Sequence, residues 1–211
     1  MFKRRGLLEV VVEMEWVIPI QKLEVGKVNI GTLMAGLKPL VPLSYRDGHI
    51  HFSCLSILLP HLLVKAYDAR TGKLDISLKE NPQTLQKLQA IQSTLLSAVL
   101  QQQVSWFGQE ARSFQELQRL FQPMVDGDVL HLYCPLSTQE KKGIQDSIVV
   151  FRKGQEGTQG MRPNMIQPGD MVRVALRIQG ISFHNHPNVG EWSGKFRLQH
   201  RIMALYVVPS T

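Results

Sequence analysis

The stretch GKFRLQHRIM, residues 194–203, sets Lys195, Arg197, Gln199 and Arg201 at strictly alternate positions, with Phe196 and Leu198 between them. Successive side chains of an extended strand point to opposite faces, so this spacing lines three cations and an amide along one face. A second run, DMVRVALRIQGISF over 170–183, alternates in the same way. Val172, Val174, Leu176 and Ile178 fall on one side, Arg173, Arg177 and Gln179 on the other. The two runs are sequential and joined by a loop, which predicts antiparallel neighbours. Once paired, they bring Arg173, Arg177, Lys195, Arg197 and Arg201 onto one sheet face. Five cations so close repel one another unless an anion lies among them. The chemistry of such a face is phosphate contact. Aromatic rings beside it would stack on unpaired bases. The candidates are Phe183 and Trp192 at the ends of the 181–193 loop, with Trp16 and Tyr45 behind them.

The charge distribution points the same way. The chain of 211 residues carries a net charge of +7. Residues 151–211 hold eight Arg and Lys against three Asp and Glu, which accounts for +5 of that total. A basic excess concentrated in one segment favours a polyanionic partner.

Catalytic constellations are thin by comparison. His49 and His51 alternate on one run, and FHNHP supplies His184 and His186, but no carboxylates accompany these His-x-His pairs. Cys134 and His131 are three residues apart, which on a strand puts them on opposite faces. The Gly-rich stretch at 154–169 lacks the Lys-Ser/Thr ending of a phosphate-binding loop and does not lead from strand into helix. The two cysteines, Cys54 and Cys134, show neither CxxC nor zinc spacing and read as buried thiols of a reducing compartment. The expectation is a protein with no catalytic activity, no cofactor and no metal.

The elements that must position the basic face read as strands, a helical insertion, then more strands. LLEVVVEMEWVIPIQKLEV and GKVNIGTLM are strand-like runs ended by Gly or Pro. RDG and ARTGK mark hairpin turns, with Gly48 supplying a positive φ. After Pro82 the period lengthens: Leu85, Leu88, Ile91, Leu95 and Val99 recur at three- and four-residue steps until Gly108, with Gln and Ser on the opposite side. SFQELQRLF follows as a second helix, opened by a Ser113–Glu116 capping box. DVLHLYCPL and SIVVFRKG return to strand, and KGQEGTQGMRPNMIQPGD reads as a flexible loop. MFKRRGLLEVVVEMEW has a basic start, but Glu9, Glu13 and Glu15 interrupt its apolar segment and no small-residue cleavage site follows. No apolar run reaches the roughly 18 residues of a membrane span. The expected setting is intracellular and soluble, with no membrane partner.

Four segments carry a family resemblance: GKVNIGTLMAGLKPLVPLSY, TGKLDISL, IQPGDMVRVALRIQGISF and SGKFRLQHRIMALYVV. In layout they resemble the single-stranded DNA-binding proteins of tailed phages and nucleocytoplasmic large DNA viruses. That resemblance implies an α+β, mainly β fold: one domain over 1–211 built on an OB-like five-stranded barrel, with additional strands and a helical insertion at about 83–122. It implies largely sequence-independent single-stranded DNA binding in replication, recombination or repair. Arg173, Arg177, Lys195, Arg197 and Arg201 would hold phosphates, and Trp192 and Phe183 would stack on bases. Further partners would be replication or recombination proteins and a second copy of the chain. Many phage-type members end in an acidic recruiting tail; the closing VVPST has no such character, so tail-mediated recruitment is not carried over. The alternative expectation is a non-enzymatic structural or assembly protein, a barrel or sandwich subunit of a viral or replication complex.

Overall fold

The computed structural model describes residues 17–135, 163–186 and 190–208, together with the backbone of 149–154 and 157–160. Six strands come first: β1 (Ile18–Pro19), β2 (Val28–Ile30), β3 (Leu40–Asp47), β4 (Ile50–Phe52), β5 (Leu55–Asp68) and β6 (Lys73–Ser77). Helices α1 (Pro82–Phe107) and α2 (Phe114–Leu120) follow. Then come β7 (Phe121–Gln122), β8 (Val125–Asp126), β9 (Val129–Tyr133), β10 (Val149–Gly154) and β11 (Gly157–Gly160). The two longest strands close the order, β12 (Met171–Asn185) and β13 (Trp192–Val208). The architecture is mainly β with an inserted helical pair at 82–120, as the periodicity predicts.

The strands form one sheet along the path β11-β10-β13-β12-β5-β6-β9-β8, and among the described residues its ends do not pair, so the sheet is open. From β12 through β9 every neighbour is antiparallel, and of these pairs only β5–β6 is joined by a tight turn. Gly48 and Gly72 adopt φ of 58° and 75° in the turns that join β3 to β4 and β5 to β6, so both turn assignments hold. β10, in the run SIVVFRKG read as a strand, pairs with β11, which lies in the stretch read as a flexible loop, as a hairpin from Phe151–Gly160 to Gly154–Gly157. Beyond Pro19 the first long strand-like run is broken by short 3-10 turns at Ile20–Lys22 and Val25–Lys27.

β12 is the hinge of the architecture. Its first half pairs with β5 from Met171 to Ile178, and its second half with β3 from Gly180 to Ser182. The switch falls on Gly180, where a Cβ would collide with the Val41 carbonyl oxygen. Only a residue without a side chain lets the two backbones approach so closely. Through this contact β3 brings β2 and β4 against the main sheet.

The core gathers the inward residues of β12 (Val172, Val174, Leu176, Ile178, Ile181, Phe183) and of β13 (Phe196, Leu198, Ile202, Leu205, Val207) with Leu88, Ile91, Leu95 and Val99 of α1. Helix α1 starts with Pro82 in its first turn and stops at Gly108 in the left-handed conformation. The capping box of α2 is formed: the Ser113 hydroxyl accepts from Glu116 N–H, and Glu116 accepts from Ser113 N–H at 2.8 Å. One expectation fails on the polar side of α1, because Gln92 and Gln103 are buried. The Gln92 amide oxygen accepts from the N–H groups of Met124 and Val125, both at 2.7 Å. Gln103 grips Arg112, accepting from its N–H and donating to its carbonyl, both at 2.9 Å. These amides dock α1 onto the backbone of Met124–Val125 and Arg112 by satisfying N–H groups there.

Candidate nucleic-acid interface

The two alternating runs pair as the spacing requires. Arg177 lies directly opposite Arg201, Arg173 opposite Tyr206 and Ser182 opposite Arg197. Register shifts at Ala175/Leu176 and Ile178/Gly180 leave the inside–outside assignment intact, since Leu176 still faces Ile202 and Ile181 still faces Leu198. All five cations therefore share the outer face of the β12–β13 ribbon, while Phe196, Leu198, Val174 and Leu176 are buried beneath it.

The face is graded rather than uniform. Arg173, Lys195 and Arg197 are exposed, whereas Arg177 and Arg201 are half-buried in the middle. Ser56 of β5 and Ser182, also on this side, are buried. Burial, and then the guanidinium of Arg201, pull the pKa of Arg177 below its ordinary value. Among the described residues no carboxylate lies within ion-pair distance of Arg173, Lys195 or Arg197. Four carboxylates pair elsewhere: Glu24 and Asp47 with Lys27, Asp128 with Lys65, and Asp75 with Lys73 and His131. Between the strands, Gln199 donates to the Gln179 amide oxygen at 3.0 Å.

Two histidines flank Arg197. His184 follows Ser182 by two positions on β12, and burial, then Arg197 and Lys195, hold its pKa below the usual value. His200 is depressed chiefly by burial; a contact with the Leu198 carbonyl raises it, and Arg197 lowers it again. The Nε2 atoms of both rings are buried and have no hydrogen-bond partner among the described residues.

The proposed stacking rings are corrected by the structure. Trp192 and Phe183 are each 2 % exposed and belong to the core. Phe107, in the last turn of α1, stacks on Trp192 at 4.5 Å between centroids, and the Arg112 guanidinium sits 4.5 Å from the same ring. The Trp192 indole N–H donates to the Lys195 carbonyl at 3.0 Å. Trp106 and Phe107 both meet Phe183 edge-on. The physical reason is that α1 ends over this hairpin and covers its rings, and burying an indole and a phenyl outweighs keeping them wet. Tyr45 is buried as well, at 3 %, and Trp16 lies outside the described residues.

An aromatic residue does stand near the comb, one the alternation did not single out. Tyr133, the last residue of β9, is 58 % exposed. It shares a cleft of about 280 Å³ with Arg197, Leu198, Gln199 and His200. The signal available in VLHLY was its outward parity with His131 and Val129, on the opposite face from the buried Leu130 and Leu132.

Other candidate chemistry stays apart. No cluster of three or more His, Cys, Asp or Glu that could hold a metal occurs among the described residues. Cys134 is buried and its thiol pKa is pushed up to about 11, so it is protonated at neutral pH. His131 instead faces Asp75 at 2.7 Å. No described helix is long and apolar enough to cross a membrane. No protein-family model matches the chain, and no curated protein matches its sequence.

Proposed function

We propose that the protein binds single-stranded DNA, largely without sequence preference, through the outer face of the β12–β13 ribbon, and acts in replication, recombination or repair without catalysis. The observation that carries this reading is the exposed cation row: Arg173, Lys195 and Arg197 share the outer face of the ribbon, and no carboxylate among the described residues lies within ion-pair distance of them. Exposed cations along one face repel one another, and an anion laid along the ribbon relieves that repulsion. The five-strand path β13-β12-β5-β6-β9 is read here as a partly open OB-like barrel, supported by the approach of Tyr133 in β9 to Arg197–His200 in β13. The test is fluorescence anisotropy with labelled single-stranded DNA, duplex DNA and RNA of equal length. Tighter, salt-dependent binding of the single DNA strand supports the reading; equal affinity for duplex removes it.

A second reading, an assembly protein, draws on a different observation. Leu37 is 98 % exposed, and Met34, Val104 and Phe114 are also largely exposed. Apolar side chains left this exposed are available for protein contacts. Concentration-dependent mass together with no preference for single strands would favour it.

A further inference from the structure

The outer edge of β13 is paired at both ends and open between them. β7 pairs with it at Phe196–Arg197, and β10 at Ala204–Val207. From Leu198 to Met203 that edge has no strand partner among the described residues. Opposite the gap comes the end of β9, where β8 pairs only with Val129 and Leu130 and leaves Tyr133 clear. The cleft between them is lined by four consecutive residues, Arg197 to His200. Consecutive strand residues alternate faces, so a cavity touching all four opens along the strand's edge, not on either face.

The groups gathered there are chemically specific. Tyr133 offers an exposed aromatic face. Gln199 spends its amide N–H on Gln179, which leaves its own amide oxygen available as an acceptor. The His200 Nδ1 lies 3.2 Å from the Leu198 carbonyl, so Nδ1–H donates there and Nε2 carries the lone pair. That Nε2 is buried without a partner among the described residues, an unmet acceptor of the kind folded proteins avoid. Arg197 adds a cation at the rim. A flat ring face, the Gln199 amide oxygen as acceptor and an adjacent cation complement a flat heterocycle with an N–H donor that is attached to an anion. A volume of about 280 Å³ is just under the roughly 300–1,000 Å³ of sites for larger ligands, so it suits a single ring system.

We propose that this β9–β13 seam seats one unpaired nucleobase, stacked on Tyr133 with its N–H edge turned to the Gln199 amide oxygen, while Arg197, on the same face, holds the neighbouring phosphate. The inference rests on the single-strand reading above and adds to it the place where a base, and not only a backbone, is recognised. Every nucleobase can present an N–H donor on its edge, so the seat is compatible with binding that ignores sequence.

The experiment compares oligothymidine with an abasic oligomer of the same length and charge. The proteins are the full chain, Tyr133→Ala and Tyr133→Phe, with the melting temperature taken on each sample. The expected result is that the native protein prefers oligothymidine by about tenfold. Tyr133→Ala loses that preference by weakening oligothymidine binding alone, and Tyr133→Phe keeps it. In parallel, irradiating a complex with 5-iododeoxyuridine in the oligomer should crosslink the peptide that carries Tyr133. Native protein that binds both oligomers equally overturns the base seat and leaves the phosphate-binding reading standing. Native protein that binds neither removes both. A Tyr133→Ala variant that still prefers oligothymidine, or crosslinks confined to other peptides, also overturns the seat.

Discussion

Removing the Trp192 ring distinguishes a core residue from a base-stacking one. In Trp192→Ala the stack on Phe107 at 4.5 Å, the edge contacts with Phe183 and Phe196 at 5.6 and 6.3 Å, and the Arg112 contact all disappear. The Lys195 carbonyl also loses its indole donor. Buried Trp→Ala changes cost about 3–5 kcal/mol, and the pair terms are already inside that range. At about 2–4 °C per kcal/mol for a chain of this size, the melting temperature should fall by about 6–20 °C. Trp192→Phe keeps a ring against Phe107 and should recover at least half of the loss. Differential scanning calorimetry gives the melting temperatures. Anisotropy with oligothymidine, measured well below the lower transition, should give an affinity per folded molecule within about twofold of the native protein. A variant that melts within about 2 °C of the native protein yet binds tenfold more weakly would refute the buried assignment.

Four further outcomes follow from the geometry. For about four neutralised phosphates, the logarithm of affinity should fall with the logarithm of salt at a slope of about −3, and Arg197→Ala should flatten it by about 0.7; a slope indifferent to that change removes Arg197 from the interface. Gln92→Leu strands the N–H groups of Met124 and Val125, at about 1–3 kcal/mol for each, read as a lower urea midpoint. Gly180→Ala drives a Cβ into the Val41 carbonyl and should cost about 1–3 kcal/mol, whereas Gly26→Ala, where a Cβ meets nothing within 4 Å, should be nearly silent in the same titration. His184 and His200 have folded pKa values below the ordinary 6.5, so the unfolded chain takes up their protons first. Their contribution is complete above about pH 6.5 and is lost as pH falls through the folded values; His184→Gln should blunt that decline in urea titrations between pH 7.5 and 5.

The parts of this structure that follow local rules were legible from residue spacing. Alternation in 170–183 and 194–203 fixed which side of the ribbon carries Arg177 and Arg201, and Pro82, Gly108, Ser113 and Glu116 marked both helices. What escaped depends on partners distant in the chain. Nothing near Gln92 announces that two backbone amides more than thirty positions away need its oxygen. Trp192 looked like a loop ring because Trp106 and Phe107, which cover that hairpin, arrive from another element. The partner switch at Gly180 and the seam at Tyr133 are likewise products of how the sheet curls, which period-two patterns do not encode.

The change of partners along β12 also governs how the chain can be made. β5 meets β6 through a tight turn, but its other long edge waits for β12, with Leu58 pairing to Ala175 and Leu62 to Val172. β3 waits for the same strand, through Val41 and Ile181. On a ribosome, both edges emerge long before the residues that cover them. Such distant pairing slows folding and leaves strand edges available for mispairing in the interval. Between the emergence of β5 and that of β12, Leu55, Ile57 and Leu59 are therefore short of their final neighbours, and β12 is the latch that closes both edges.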